Sequence, residues 1–127
     1  MFLSLYETVG GEHILTSLVR SFYHQVYHDS LLRPLFPEDR QRVEQAQLVF
    51  LTQLTGGPRD PDQPPASLAM IHRLLPIQKE HAIRWLELME VAALDTIPNE
   101  EARLQLLERL RIGAMNVLRV CEAHQMD

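Results

Sequence analysis

Between Gly10 and Asp29 the chain reads Gly-Gly-Glu-His-Ile-Leu-Thr-Ser-Leu-Val-Arg-Ser-Phe-Tyr-His-Gln-Val-Tyr-His-Asp. Its apolar residues fall at Ile14, Leu15, Leu18, Val19, Phe22, Tyr23, Val26 and Tyr27, steps of one, three and four that trace one stripe of an amphipathic helix. The stripe predicts a helix that begins after the glycine pair and stops near Asp29-Ser30. Nowhere does the chain alternate strictly over several residues, as a half-buried strand would. The expected fold class is all-α.

Outward from that helix, a short helical turn is expected over Leu31 and Leu32, before Pro34 and Pro37 break it. Asp39 is placed to cap a second helix carrying Val43, Ala46, Gln47, Phe50, Leu51 and Leu54, which Gly56-Gly57-Pro58 stops. Residues 58–65 are proline-rich and polar and read as loop. An apolar piece, Leu68 to Leu75, ends before Pro76. A long helix then spans about Gln78 to Asp95, with Ala82, Trp85, Leu86, Met89, Ala92 and Ala93 inward. Asn99 can cap a last helix, with Glu100 and Glu101 at the positive end of its dipole. That helix carries Leu104, Leu107, Leu110, Ala114, Val117, Leu118 and Cys121. About five substantial helices and no internal repeat make one expected domain, residues 1–127.

Composition narrows the function. Twelve basic against seventeen acidic residues leave a net charge of −5, which excludes a broad basic surface for nucleic acid. A single cysteine, Cys121, excludes an internal disulfide and a cysteine-built zinc module. The hydrophobic share of 46% is too high for a disordered chain. The start, Met-Phe-Leu-Ser-Leu-Tyr-Glu, lacks the basic opening and apolar run of a signal peptide. No apolar stretch approaches the roughly 20 residues of a membrane span. A soluble, cytoplasmic protein is expected.

Of the six histidines, His13, His24, His28, His81 and His124 have polar neighbours and suit outward faces. His24 and His28, four apart, could face one metal, but no third ligand is evident and two solvated histidines are the plainer reading. His72 differs, because it lies in Leu-Ala-Met-Ile-His-Arg-Leu-Leu from Leu68 to Leu75. It can be a core histidine bonded to a backbone carbonyl, or it can ligate a metal in an apolar pocket, as an axial imidazole does in haem proteins. Tyr23 and Gln47 are polar residues on apolar helix faces, and Trp85, the sole tryptophan, needs a partner for its indole N–H once buried.

These residues, in order, resemble the truncated haemoglobins, two-over-two helical relatives of the globins. Leu5 to Gly11 (Leu-Tyr-Glu-Thr-Val-Gly-Gly) is similar to the family's opening. Ser21-Phe22-Tyr23 with Leu31 to Pro37 (Leu-Leu-Arg-Pro-Leu-Phe-Pro) resembles its second helix and turn, and Phe50 to Pro58 the close of its distal helix. His72 followed by Trp85 has the spacing of the group II, or O-type, branch. The likeness spans essentially the whole chain.

The resemblance implies a two-over-two sandwich around haem b, iron protoporphyrin IX. It makes His72 the iron ligand and sets Tyr23 over the distal face. Phe36 falls against the porphyrin, Val43 at the gate to the site, Gln47 toward the bound ligand and Trp85 in the distal hydrogen-bond network. Phe50, Leu68, Ile77 and Met89 are expected to complete the lining. It further implies reversible binding of oxygen, with nitric oxide and carbon monoxide as other ligands. Nitric oxide dioxygenase or peroxidase-like turnover, served by an electron-donor reductase, is a further implication. Three donors, each contributing about 0.5–1.5 kcal/mol, would slow oxygen release and argue against bulk oxygen transport. The chain departs from the family at Ala46, Ala69 and Ile71, where relatives carry cations that meet the haem propionates. Arg42, Arg73 and Lys79 are the substitutes at hand. That departure motivates a second reading, a haem-free signalling or interaction module on the same scaffold. Leu- and Met-rich helix faces leave the oligomeric state open.

Overall fold

The computed structural model describes residues 3–59 and 76–126, and every regular element among them is helical. Helix α1 (Leu5–Val9) opens with a capping box, in which the Ser4 hydroxyl accepts from the Glu7 N–H and the Glu7 carboxylate accepts from the Ser4 N–H. Gly10, at φ 118°, ends α1 and starts α2 (Gly11–Val26) in a single residue. A side chain there would adopt a left-handed backbone and place its Cβ 2.3 Å from Ile14 Cγ1, so the sharp corner requires glycine. The predicted stripe of α2 is buried at Leu15, Leu18, Val19, Phe22, Tyr23 and Val26.

The helical turn expected at Leu31 and Leu32 lies instead at Arg33–Leu35, as a 3-10 turn that contains Pro34. Proline is tolerated in a first turn, where its missing N–H has no partner to lose. Helix α3 (Arg40–Leu54) is capped by Asp39, whose carboxylate accepts from the Arg42 N–H at 3.2 Å. Past its end, the buried Thr55 hydroxyl donates to the Leu51 carbonyl at 2.7 Å, and the Thr55 carbonyl accepts from the Tyr6 N–H at 2.8 Å. The chain start is thereby closed onto the end of α3.

Helix α4 (Lys79–Thr96) begins at Gln78, whose backbone N–H donates to His81 Nδ1 at 2.9 Å. Its inward face is Ala82, Met89, Ala92 and Ala93, with Trp85 and Leu86 half-buried. Helix α5 (Glu100–Met126) is capped by Asn99, which accepts from the Ala102 N–H at 3.1 Å. Its buried face differs from expectation. Leu104 is 57% exposed, while Ala102, Leu106, Leu110, Val117, Leu118 and Cys121 point inward, and Leu107 and Ala114 are half-buried. The first turn turns Ala102 to the core, and steps of four from it reach Leu106 and Leu110, leaving Leu104 on the opposite side.

Helix α2 sits between α3 and α4, and α4 packs in turn on α5. Phe22, Leu15, Leu18, Leu51, Met89 and Leu106 form the centre of the main core. Each such side chain, removed fully from water, contributes about 1.5–3 kcal/mol. A smaller cluster of Ile77, Ala82, Val117, Leu118 and Cys121 joins the start of α4 to the far part of α5, and Leu35 packs against both clusters. No helix among the described residues is long and apolar enough to cross a membrane.

Candidate ligand site between α2 and α3

Tyr23 and Gln47 are the two polar side chains expected on apolar faces, and the crossing of α2 over α3 brings them together. The Tyr23 hydroxyl donates to Gln47 Oε1 at 3.2 Å. Tyr23 is 2% exposed. Burial, reinforced by the phenol of Tyr27 and the carboxylate of Glu44, raises its pKa far above the ordinary phenol value, so it stays protonated and can donate. The other amide atom, Gln47 Nε2, is buried without a hydrogen-bond partner among the described residues. Turning the amide over would only exchange which of its two atoms is left over.

Aromatic rings flank Tyr23. Phe36 stands edge-on to Tyr23 at 5.7 Å between centroids, and Phe22 does the same on another side at 4.9 Å. Phe36 is held through its backbone, where Arg33 Nη1 donates to its carbonyl at 2.8 Å. The Arg33 guanidinium also lies 4.6 Å over the Tyr27 ring, whose hydroxyl donates to the Pro37 carbonyl at 2.6 Å. The turn carrying Phe36 is thus fastened at three points.

Val43 and Phe50 lie one turn before and nearly one turn after Gln47 on α3, both half-buried and packed against the main core. Only Leu51 is fully buried on this helix, so α3 offers a half-covered apolar face around the Gln47 amide. Met89 is fully enclosed in the main core, whereas Ile77 belongs to the smaller cluster. Trp85 is not joined to the Tyr23–Gln47 pair. Its ring meets Phe22 edge-on at 5.1 Å, and no hydrogen bond links its indole N–H to Tyr23 or Gln47. His72 and Leu68 lie outside the described residues, as do Ala69, Ile71 and Arg73. Ala46, Arg42 and Lys79 are exposed.

The other histidine pair has a plain account. The His24 and His28 rings are 4.6 Å apart, and His28 Nδ1 lies 2.7 Å from the His24 carbonyl. Among the described residues no group of three or more His, Cys, Asp or Glu could hold a metal ion. Two polar contacts to α4, one from α2 and one from the turn after it, escape a reading of the sequence. Arg84 Nη1 is paired with Asp29 Oδ1 at 2.8 Å, and Gln25 Nε2 donates to the Leu88 carbonyl at 3.3 Å. Their only local trace is that Gln25 and Asp29, like Arg84 and Leu88, stand four apart in the sequence, with Asp29 just past the end of α2.

Packed helices with a buried polar pair at a crossing are consistent with a globin-like protein, and comparison with known proteins identifies it as one. The chain belongs to the bacterial-like globin family, whose model matches residues 4–118. Within it, the chain groups with the group II truncated haemoglobins. It is 36% identical over 125 residues to group 2 truncated hemoglobin YjbI of Bacillus subtilis, a match that covers 96% of this chain and 93% of that one. The crystal structure of the group II truncated hemoglobin from Bacillus anthracis superimposes with a TM-score of 0.84 at 32% identity, covering 93% and 92% of the two chains. A truncated oxygen-avid haemoglobin from Bacillus subtilis does so with a TM-score of 0.82 at 34% identity, covering 91% and 99%. The all-α, two-over-two truncated-globin fold is therefore that of this chain.

Proposed function

We propose that this chain is a haem protein that reversibly holds dioxygen, and by the same chemistry nitric oxide or carbon monoxide, against the Tyr23–Gln47 pair. The carrying observation is the Gln47 Nε2 group, a buried amide N–H with no acceptor among the described residues. Leaving such a donor unpaired costs about 1–3 kcal/mol, which an acceptor atom of a small ligand would offset. Haem iron, when bound, supplies the binding point for a diatomic ligand and shifts negative charge onto its outer atom.

The surrounding residues fit that group. The half-covered apolar face of α3 suits a flat hydrophobic ring system. Phe36, Val43, Phe50, Leu68, Ile77 and Met89 would line it, and His72 would bind its iron. Tyr23, kept protonated by burial, occupies the Gln47 carbonyl and thereby turns the amide N–H toward the ligand. Trp85 closes the site behind Phe22, which makes it a wall in this reading rather than a first hydrogen-bond donor. At the rim Ala46 offers no charge, and the exposed Arg42, one turn earlier on α3, makes no ion pair among the described residues. Arg42 and Lys79 are the cations assigned here to the propionates.

Electron-donor partners and turnover of nitric oxide or peroxide stay as implications of the family resemblance, as does a cytoplasmic location. The family match over residues 4–118 supports one domain. The test is the rate of oxygen release after Gln47→Leu. A hydrogen bond to a charged acceptor contributes about 1.5–3 kcal/mol, so release should quicken by roughly 10- to 100-fold. An unchanged rate would remove Gln47 from the site.

A further inference from the structure

Helix α4 carries its inward face on small residues. Ala82, Ala92 and Ala93 surround a single larger one, Met89. Ala82 belongs to the smaller cluster, and against the main core Met89, Ala92 and Ala93 are joined by the half-buried Trp85 and Leu88, with Trp85 edge-on to Phe22 of α2. Two polar contacts add to that packing. Asp29, three residues past the end of α2, meets Arg84, and Gln25 in the last turn of α2 meets the Leu88 carbonyl, one turn forward along α4. The two run antiparallel, since four residues back from Asp29 to Gln25 match four residues forward from Arg84 to Leu88. A slip of α4 by one residue, about 1.5 Å along the axis and about 100° around it, would break both.

Asp29 is the better anchored partner. Its side chain is 10% exposed against 43% for Arg84. Its backbone also ends α2 and starts the next turn, with its N–H donating to the Val26 carbonyl and its carbonyl accepting from the Arg33 N–H. Arg84 is followed directly by Trp85, whose ring rests on Phe22, the α2 neighbour of Tyr23.

We infer that Asp29 and Arg84 are positioning residues, a register lock that sets where the Trp85 indole stands relative to Phe22 and so shapes one wall of the ligand site. The structural part stands on these contacts alone. Its consequence for ligand release rests on the function proposed above, and the two are read separately.

The test uses the full-length protein as purified, reduced and saturated with carbon monoxide if it carries haem. Trp85 is the only tryptophan, so its indole N–H gives one resolved signal in a nitrogen–proton correlation spectrum. In the parent protein that signal should show a cross-relaxation contact with the Phe22 ring. Arg84→Met, which keeps the aliphatic stem, should shift or split the signal, weaken the Phe22 contact and raise indole hydrogen exchange at least tenfold. The charge-exchanged pair Asp29→Arg with Arg84→Asp should recover much of the parent pattern. Arg111→Met, which breaks the exposed Glu108–Arg111 pair on α5, should leave it alone. If Arg84→Met does not fold, Asp29→Asn, nearly equal in volume, carries the same comparison. A Trp85 signal, contact and exchange rate unchanged in both single variants would overturn the lock. A displaced indole with unchanged oxygen release would uphold the lock and reject Trp85 as a wall of the site.

Discussion

Tyr23 donates to Gln47 Oε1 across 3.2 Å, a side-chain bond that ties α2 to α3 and leaves Gln47 Nε2 buried without a partner among the described residues. In the function proposed above the two residues act as one unit, with Tyr23 orienting the amide and Gln47 meeting the ligand. Tyr23→Phe should quicken oxygen release by freeing the amide to turn, and the double variant Tyr23→Phe with Gln47→Leu should release no faster than Gln47→Leu alone. Stopped-flow rates for the four proteins give the coupling directly. Strictly additive effects would mean that the residues act independently.

The same burial makes a statement about alkaline pH. An unfolded tyrosine loses its proton near pH 10, whereas the folded Tyr23 holds it to a higher pH because burial penalises the phenolate. Above about pH 10 the unfolded chain therefore binds fewer protons than the folded one, and stability falls as pH rises further. Below that pH the contribution is fully present. Thermal melting as a function of pH should show this alkaline decline in the parent protein and a shallower one in Tyr23→Phe. Parallel curves would mean that Tyr23 is not buried in solution.

Trp85 offers a contrast within the site. Its indole N–H is not bonded to Tyr23 or Gln47, and its ring contact with Phe22 can be kept by another aromatic ring. Trp85→Phe should preserve melting temperature closely and speed oxygen release less than Gln47→Leu does. A larger effect than that of Gln47→Leu would place the indole N–H, rather than the amide, first on the ligand.

At the chain start, Gly10→Ala should lower the melting temperature by several degrees. The new Cβ would fall 2.3 Å from Ile14 Cγ1 on a backbone at φ 118°, and strain of this kind costs about 1–3 kcal/mol. Circular dichroism melting measures it. An unchanged midpoint would show that the α1–α2 corner relaxes freely.

What could be read from the sequence follows the range of each interaction. The α2 stripe, the Asp39 and Asn99 caps and the stop at Gly56 rest on neighbours within a turn, and they stand where the pattern puts them. The polarity of Tyr23 and Gln47 on apolar faces was equally visible. Their bond was not, because it joins positions 24 apart through the angle at which two helices cross. Asp29 and Arg84, 55 apart, pose the same difficulty. Leu104 misleads for a different reason, since a leucine-rich helix offers several apolar stripes and only docking selects the one through Ala102 and Leu106. The expectations for His72 and Leu68 fall outside the described residues.

The central claim is that this chain binds haem and a diatomic ligand on it, and an absorbance spectrum tests it most directly. The purified protein should show a Soret band that shifts on reduction with dithionite, then sharpens and shifts again when carbon monoxide is added. His72→Ala should lose or displace that band. A colourless protein that takes up no added haemin and shows no carbon monoxide response would contradict the claim and favour a haem-free module on a globin scaffold.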